Sequence, residues 1–360
     1  MPVGTETDEH ADSGTEGHAR SGTRADVVCL GESMVTFLPS RPGRLADVPS
    51  FGRGIGGAES NVACALAAAG HRTAWVSRVG ADGFGDHLVE TIAGYGVDTS
   101  AVRRDPARPT GIYFRTATDR ATDVHEVAYY RAGSAASAMS PDNIPYEALF
   151  AGRVLHLSGI TAALSAGCLA LLRDLTAPRP GRPLLSFDVN HRPGLWRGAA
   201  AGPGVLLDLA RGCDLVFVGE DEAEEAWGLT GAGAIRAAVP QPAVLVVKRG
   251  AEGATVFSRT DGADTVTTVP ALCVDVVAPV GAGDAFAAGF LSATLRGLGV
   301  RDRGRHGHLM AAAVLTVPGD LTDPPSRARA DALAALDDDA WGRLRLGPGW
   351  TGEDQEVRTT

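Results

Sequence analysis

The stretch Ala278-Pro-Val-Gly281-Ala282-Gly283-Asp284-Ala-Phe-Ala-Ala-Gly289-Phe290 decides how the rest of the chain is read. Glycines and small residues let the backbone turn tightly, and the N–H groups of the helix that follows then face an anion, phosphate above all. A carboxylate at Asp284 would repel that phosphate if binding were its only task. It suits the removal of a proton from a hydroxyl that attacks the phosphate. The alternative is a glycine-rich turn in which Asp284 is an ordinary helix cap. A dinucleotide fingerprint fits less well, because Phe286 stands where its third glycine belongs.

A second glycine cluster, Gly52-Arg-Gly54-Ile-Gly56-Gly57-Ala-Glu59-Ser-Asn61-Val-Ala63, also leads into a helical stretch. It permits close approach of a ligand, and Asn61, one turn inside, can donate to and accept from a polyol. As a dinucleotide loop it fails, since Glu59 occupies the third glycine's place and no buried strand precedes it.

Short apolar runs surround these two clusters. Asp26–Leu30, Thr73–Val79, Arg153–Leu157, Leu184–Val189, Leu215–Val218 and Ala243–Val247 read as strands buried on both faces. Helical stretches fall between them at Ser60–Ala69, Gly85–Tyr95, Leu164–Thr176, Gly204–Arg211, Glu220–Trp227 and Gly283–Arg296. The alternation predicts an α/β fold with a doubly wound, mainly parallel sheet and ligands outside the carboxyl ends of its strands. Residues 34–51 and 110–131 break the rhythm. They alternate like exposed antiparallel strands and are expected to pair as a small β-sheet lid that excludes water from the cleft.

Composition removes whole classes of function. The 360 residues carry 33 basic and 43 acidic side chains, a net charge of -10, which is a poor basis for binding nucleic acid. No apolar run approaches the roughly 18 residues of a membrane span. Residues 1–25 are polar and acidic without an apolar core, so they read as a disordered extension rather than a secretory signal. Residues 346–360 read as a flexible tail, which leaves 26–345 as one domain. The five cysteines (Cys29, Cys64, Cys168, Cys213, Cys273) are odd in number and form no C-x-x-C pair. They read as small core residues in a reducing, cytoplasmic protein rather than a disulfide or zinc framework. Lys248 is the single lysine and sits in Val247-Lys248-Arg249-Gly250, so a Walker A loop is excluded.

Taken in order, Gly56-Gly57-Ala-Glu-Ser-Asn61, Ser77-Arg-Val-Gly80-Ala-Asp82-Gly-Phe-Gly85, Pro109-Thr-Gly111, Phe187-Asp188-Val-Asn190-His-Arg192, Val247-Lys248-Arg-Gly250-Ala-Glu-Gly253 and Gly281-Ala282-Gly283-Asp284 resemble the ribokinase-type (phosphofructokinase-B) sugar kinases. The resemblance spans roughly Asp26 to Asp320. It implies a ribokinase-like fold and transfer of the γ-phosphoryl of ATP to a sugar hydroxyl. By the same resemblance Asp284 is the general base, and the N–H groups of Gly281, Ala282 and Gly283 form the anion hole. Mg²⁺ is expected to ride on the ATP phosphates, with Glu222 acting through water and no direct protein ligand. Asn190, Lys248, Gly250 and Gly253 fall on the nucleotide side, although Lys248 also reads as a solvated charge at a strand end.

The sugar side departs from the commonest pattern. Kinases of this type for neutral sugars often carry an aspartate on the first lid strand, where this chain has Thr36. Period-two spacing puts Tyr129 and Arg131 on one face, Tyr130 on the other. An aromatic ring and a guanidinium on the cleft side suit a sugar acid, because arginine holds carboxylates through paired donors. Tyr113 on the other lid strand and Arg192 past the end of a main strand complete the expected pocket with Gly56, Gly57 and Asn61. These pieces are similar to the 2-keto-3-deoxygluconate kinase branch. Arginines that merely pack the lid would leave a kinase of fructose or another neutral ketose, and a silent sugar-acid-binding regulator is a third reading. The family's cation-holding aspartate is replaced by Ala278, with Asp275 nearby, so K⁺ activation is not expected. Gly219 replaces the asparagine of Asn-x-x-Glu, and near the expected adenine site only small residues and His308 stand. Lid strands of this family often pair between subunits, which makes a homodimer an expectation.

Overall fold

The computed structural model describes residues 25–116, 126–197, 201–352 and 358–359. The strands of its two larger sheets run in chain order as β1 (Val27–Leu30), β2 (Met34–Pro39), β3 (Phe51–Gly56), β4 (Thr73–Val76), β5 (Ile112–Arg115) and β6 (Val127–Tyr130). They continue as β7 (Val154–Ser158), β8 (Leu184–Asp188), β9 (Leu215–Gly219), β10 (Val244–Lys248), β11 (Ala254–Thr260) and β12 (Ala263–Val269). The helices that position the site are α1 (Ala58–Ala68), α2 (Glu220–Trp227), α3 (Ala282–Leu295) and α4 (Val300–Leu315).

An eight-stranded sheet takes the order β12-β11-β10-β9-β8-β7-β1-β4. Its strands are parallel from β4 through β10, and the two pairings made by β11, with β10 and with β12, are antiparallel. Both faces are covered, as near-continuous apolar strands require. Val28, Leu30, Val216 and Val218 look into one core, whereas Val27, Cys29, Leu215 and Phe217 look into the other. The second core is closed by α1 and α3, where Val62, Leu66, Phe286 and Phe290 are buried. Truncating a fully buried phenylalanine such as Phe290 to alanine would cost about 3–5 kcal/mol. Helices α3 and α4 approach so closely that a Cβ at Gly289 would lie 2.3 Å from the His306 carbonyl oxygen.

The lid is a four-stranded sheet in the order β3-β2-β5-β6. Register places Thr36 beside Tyr113 and Tyr113 beside Tyr129, so these share one face. The other face carries an aromatic cluster: Phe37 stacks on Phe114 at 4.6 Å, and Phe51 and Tyr130 meet the same ring edge-on. The alternation of apolar and polar residues thus does lay out a small sheet, but its strands are antiparallel only within each segment, β2 and β5 pair in parallel, and the first segment extends past Phe51 through β3 to Gly56. Residues 117–125 of the second expected segment, and residues 1–24 of the expected extension, lie outside the described residues.

Several expectations need correction. Thr73–Val79 is not one strand: β4 ends at Val76, and Arg78–Gly80 pairs with Arg103–Asp105 in a separate two-stranded sheet. The helix expected at Leu164–Thr176 starts at Ala166, because Ser165 caps it by accepting from the Cys168 N–H, and a separate short helix, Gly159–Ala163, precedes it. The start of the expected tail packs rather than trails, with Leu346 and Trp350 buried in a third cluster around Trp341. Four of the five cysteines are buried as expected, but Cys273 is exposed. No helix among the described residues is long and apolar enough to cross a membrane.

Candidate active site

Asp188 at the carboxyl end of β8 and Lys248 at the carboxyl end of β10 both act on Asp284 in the first turn of α3. Gly281 caps α3 in the left-handed region, φ +78°, which only glycine adopts without strain. The first hydrogen bond of the helix runs from the Ala285 N–H to the Gly281 carbonyl at 2.9 Å. The N–H groups of Ala282 and Gly283 therefore belong to the first turn, whose donors have no acceptor within the helix and favour an anion.

Asp284 sits half-buried in that turn. Asn61 Nδ2, from the first turn of α1, donates to Asp284 Oδ2 at 2.8 Å. Burial pushes the Asp284 carboxyl up to about 7, and the nearby Asp188 carboxylate adds to the rise. The Asn61 hydrogen bond and the positive charges of Arg192 and Lys248 pull the other way. A carboxyl that titrates near neutrality is poised to take a proton from a hydroxyl. The plain helix-cap alternative is not what the structure shows, since Gly281 caps α3 without a side-chain bond.

Lys248 closes β10 and is not a solvated strand-end charge. Its Nζ donates to both oxygens of Asp188, at 3.1 and 3.0 Å, and its side chain is only 20% exposed. Burial alone would lower its pKa, but the carboxylates of Asp188, Glu222 and Asp284 outweigh it and hold the ammonium above its ordinary value. A Cβ at Gly283 would stand 3.6 Å from Nζ, so the ammonium lies beside the α3 turn. Glu222 opens α2, where its Oε2 accepts from the Gly219 N–H at 2.8 Å and its Oε1 from Arg192 Nη1 at 3.5 Å. Gly219 thus occupies the asparagine's place while the glutamate is kept in position by backbone.

Glu222, Lys248, Gly250, Gly253 and Gly283 line one open cleft of about 1260 Å³ together with His308. Gly253 has a second duty: at φ +110°, a Cβ there would fall 2.2 Å from the Val269 carbonyl oxygen, so the close approach of these two segments requires glycine. His308 Nε2 lies 3.1 Å from the Val269 carbonyl oxygen, and burial lowers its pKa to about 4, leaving a neutral ring. Asn190, just past β8, is held at φ +42° and buried, and its Oδ1 has no hydrogen-bond partner among the described residues.

Among the residues expected on the sugar side, Gly56 and Gly57 are demanded by packing. A Cβ at Gly56 would lie 2.3 Å from Tyr113 Oη, and one at Gly57 would lie 2.4 Å from the Glu32 carbonyl oxygen. Asn61 differs from the expectation that it serves a polyol with both ends: its amide donor is committed to Asp284, and only its buried Oδ1 lacks a partner among the described residues. Tyr113 and Tyr129 pack at 5.4 Å, although Tyr129 is 55% exposed.

Arg131 requires a larger correction. Its guanidinium is already paired with a carboxylate of the protein, as Nε donates to Glu32 Oε2 at 2.7 Å and Nη2 pairs with the same oxygen. Ser134 Oγ donates to the other Glu32 oxygen at 2.5 Å. Arg192, by contrast, keeps a side chain 52% exposed, and its ion pair with Glu222 is long. The sequence reading missed three carboxylates here: Glu32, Asp188 and Asp320. Asp188 was visible inside Phe187-Asp188-Val-Asn190-His-Arg192, but a carboxylate's partner is a tertiary fact. Asp275 points at the C-terminal segment, where a Cβ at Gly347 would lie 3.1 Å from its Oδ2, and Ala278 is buried.

The model of the pfkB family carbohydrate kinases matches residues 24–327. The 2-dehydro-3-deoxygluconokinase of Bacillus subtilis is 36% identical over 313 residues, 84% of this chain and 94% of that one. The 2-dehydro-3-deoxygluconokinase of Thermoproteus tenax is 33% identical over 322 residues, 89% of this chain and 97% of that one. The crystal structure of a PfkB protein from Polaromonas sp. JS666 superposes with a TM-score of 0.73 at 35% identity, covering 86% of this chain and 99% of that chain. This chain belongs to the pfkB family of carbohydrate kinases, the sugar phosphotransferases whose ribokinase-like fold it shares.

Proposed function

We propose that this kinase transfers the γ-phosphoryl of ATP to the 6-hydroxyl of 2-keto-3-deoxygluconate. The observation that carries the reading is Asp284 at the start of α3, with its pKa raised to about 7 and its carboxylate aimed by Asn61. The sugar hydroxyl gives its proton to Asp284 as its oxygen attacks the phosphoryl, and ADP leaves toward the wide cleft. The N–H groups of Gly281, Ala282 and Gly283 stabilise the charge that gathers on the equatorial oxygens. Lys248 adds a positive charge beside the same turn, balanced in the resting protein by Asp188. The donor set fits a metal that travels with the nucleotide: Glu222 lines the cleft and would help to hold such an ion there. When bound, Mg²⁺ neutralises phosphate charge.

The identity of the acceptor is supported by the two 2-dehydro-3-deoxygluconokinase relatives and by Arg192, which keeps an exposed guanidinium near Asp284. One observation favours a second reading, a neutral ketose such as fructose: Glu32 already neutralises Arg131. An ADP-release assay over sugar acids and neutral ketoses separates them. Higher kcat/KM for 2-keto-3-deoxygluconate than for fructose is the expected result. The reverse order installs the neutral ketose, and binding without turnover of any sugar makes the protein a regulator.

A further inference from the structure

The pair formed by Arg115 and Asp320 joins three parts of the site, and the reaction above does not use it. Asp320 follows α4 and is only 8% exposed. Its backbone lies against the turn that opens α3, since a Cβ at Gly281 would stand 2.7 Å from its carbonyl oxygen and 3.1 Å from its Cα. Its side chain reaches the lid. Oδ1 accepts from Arg115 Nη2 at 2.8 Å, and Oδ2 accepts from Tyr113 Oη at 3.3 Å. Arg115 is buried on β5 and also donates to the Pro318 carbonyl at 3.4 Å. The sugar loop is the third party, because a Cβ at Gly56 would lie 3.0 Å from Asp320 Oδ2.

A buried ion pair is a weak source of stability, since desolvating both charges offsets most of their attraction. What it supplies well is fixed geometry, because charge-assisted bonds are short and directional. Both partners face a place where geometry matters: an attacking hydroxyl misplaced by about 1 Å loses on the order of 100-fold in rate.

We infer that Arg115 and Asp320 form a strut between the lid and the anion hole, which fixes where a sugar beneath Tyr113 stands relative to the N–H groups of Gly281, Ala282 and Gly283. Both are positioning residues, acting through Tyr113 and Gly281. The kinetic part of the inference rests on the proposed ATP-dependent transfer, and the exchange part below does not.

The test compares Asp320→Asn, Arg115→Gln and the double variant in the full chain. Each single variant strands a buried charge, whereas the double variant keeps a neutral amide pair that can still hydrogen-bond. Per folded molecule, the single variants should lower kcat about 10- to 100-fold and raise the sugar KM about tenfold, leaving the ATP KM within about twofold. The ratio of ADP released to sugar phosphate formed should rise, because a poorly seated lid admits water. The double variant should recover most of that ratio. In hydrogen exchange on the unliganded protein, residues 112–115 and 281–285 should speed up together in each single variant while 184–188 stay slow. The strut is overturned if activity falls only in proportion to the unfolded fraction, if the folded double variant recovers nothing, or if exchange changes at 112–115 without 281–285. Should the wild type phosphorylate no sugar, the proposed function fails and exchange alone decides the strut.

Discussion

Replacing Asn61 by leucine removes the one amide that aims and stabilises the Asp284 carboxylate, while keeping a side chain of similar bulk that admits no water. The donor lies 2.8 Å from Oδ2. A hydrogen bond to a charged group is worth about 1.5–3 kcal/mol, and about 1.4 kcal/mol corresponds to one pKa unit. Losing it favours the protonated acid, so the Asp284 pKa should climb from about 7 by roughly one to two units. The base works only when ionised, so the sign is fixed: activity is lost as pH falls through the pKa, and the variant loses it at higher pH. Near pH 7 about half of the wild-type carboxyls are ionised. In the variant about a tenth to a hundredth would be, a loss of roughly 5- to 50-fold that shrinks as pH rises past 9. The assay is kcat/KM for the sugar from pH 5.5 to 10, with circular dichroism at each pH to keep folding apart from chemistry. An acidic limb that stays in place, or moves to lower pH, refutes the assignment of the limb to Asp284 and of its restraint to Asn61.

Asp284→Asn should lower kcat by about 10²–10⁴-fold. The same change should stabilise the protein above pH 7: the folded pKa, about 7 against an ordinary 3.8, means that ionisation opposes folding as pH rises between them, by at most about 4 kcal/mol. Thermal melts at pH 8 and pH 4 check this, and a variant no more stable at pH 8 would show that the carboxyl is not strained by burial. Lys248→Met strands Asp188, so melting should show a loss of about 3–5 kcal/mol, beyond any fall in kcat; an unchanged melting curve would mean the pair is not buried. Arg192→Leu should weaken 2-keto-3-deoxygluconate about 10-fold or more and fructose much less, whereas Arg131→Leu should impair both alike, because its partner is Glu32. Exchange of K⁺ for a bulky organic cation should leave turnover nearly unchanged, and large saturable activation by K⁺ would show that backbone oxygens rebuild a site around Ala278.

What could be read from the chain was what local chemistry dictates. Apolar strands such as Leu215–Gly219 advertise burial on both faces, and Gly281-Ala282-Gly283-Asp284 carries its turn, its free donors and its proposed base within one stretch. The hairpin of β11 and β12 escaped because Asp264, Thr265 and Thr267 on an exposed edge strand show no buried run. Helix α4 escaped for a related reason: Arg301, Arg303, Arg305, His306 and His308 look polar in sequence. Yet Arg305 is buried against the Trp341 ring, with its guanidinium on backbone carbonyls of the C-terminal segment. Charged residues that are buried with partners from distant segments cannot be told from solvated ones by periodicity. Arg131 failed in the same way. Period two placed it on the Tyr129 face correctly, but no local pattern discloses that Glu32 lies across from it.

The carboxylates clarify how an acidic chain holds negative charge within its site. Asp188, Glu32 and Asp320 are each buried, and each is matched by a cation from another element: Lys248, Arg131 and Arg115. Asp284 differs from these three, with an amide rather than a cation as its hydrogen-bond partner, and it is pushed up to about 7. Pairing it with a guanidinium would hold it ionised at every working pH and weaken it as a base, since a carboxylate stabilised by a cation has less drive to take a proton. The neutral Asn61 avoids that cost while still fixing direction. The same logic bears on the acceptor. With Arg131 and Arg115 committed internally, Arg192 is the guanidinium near Asp284 that stays substantially exposed, and it also opposes the rise in that carboxyl's pKa. A sugar carboxylate seated on Arg192 would neutralise this influence and raise the Asp284 pKa, giving each ionised carboxylate more drive to take the proton but leaving fewer of them ionised near pH 7. A neutral ketose brings no such charge, so with it bound the acidic fall of kcat would come at a lower pH.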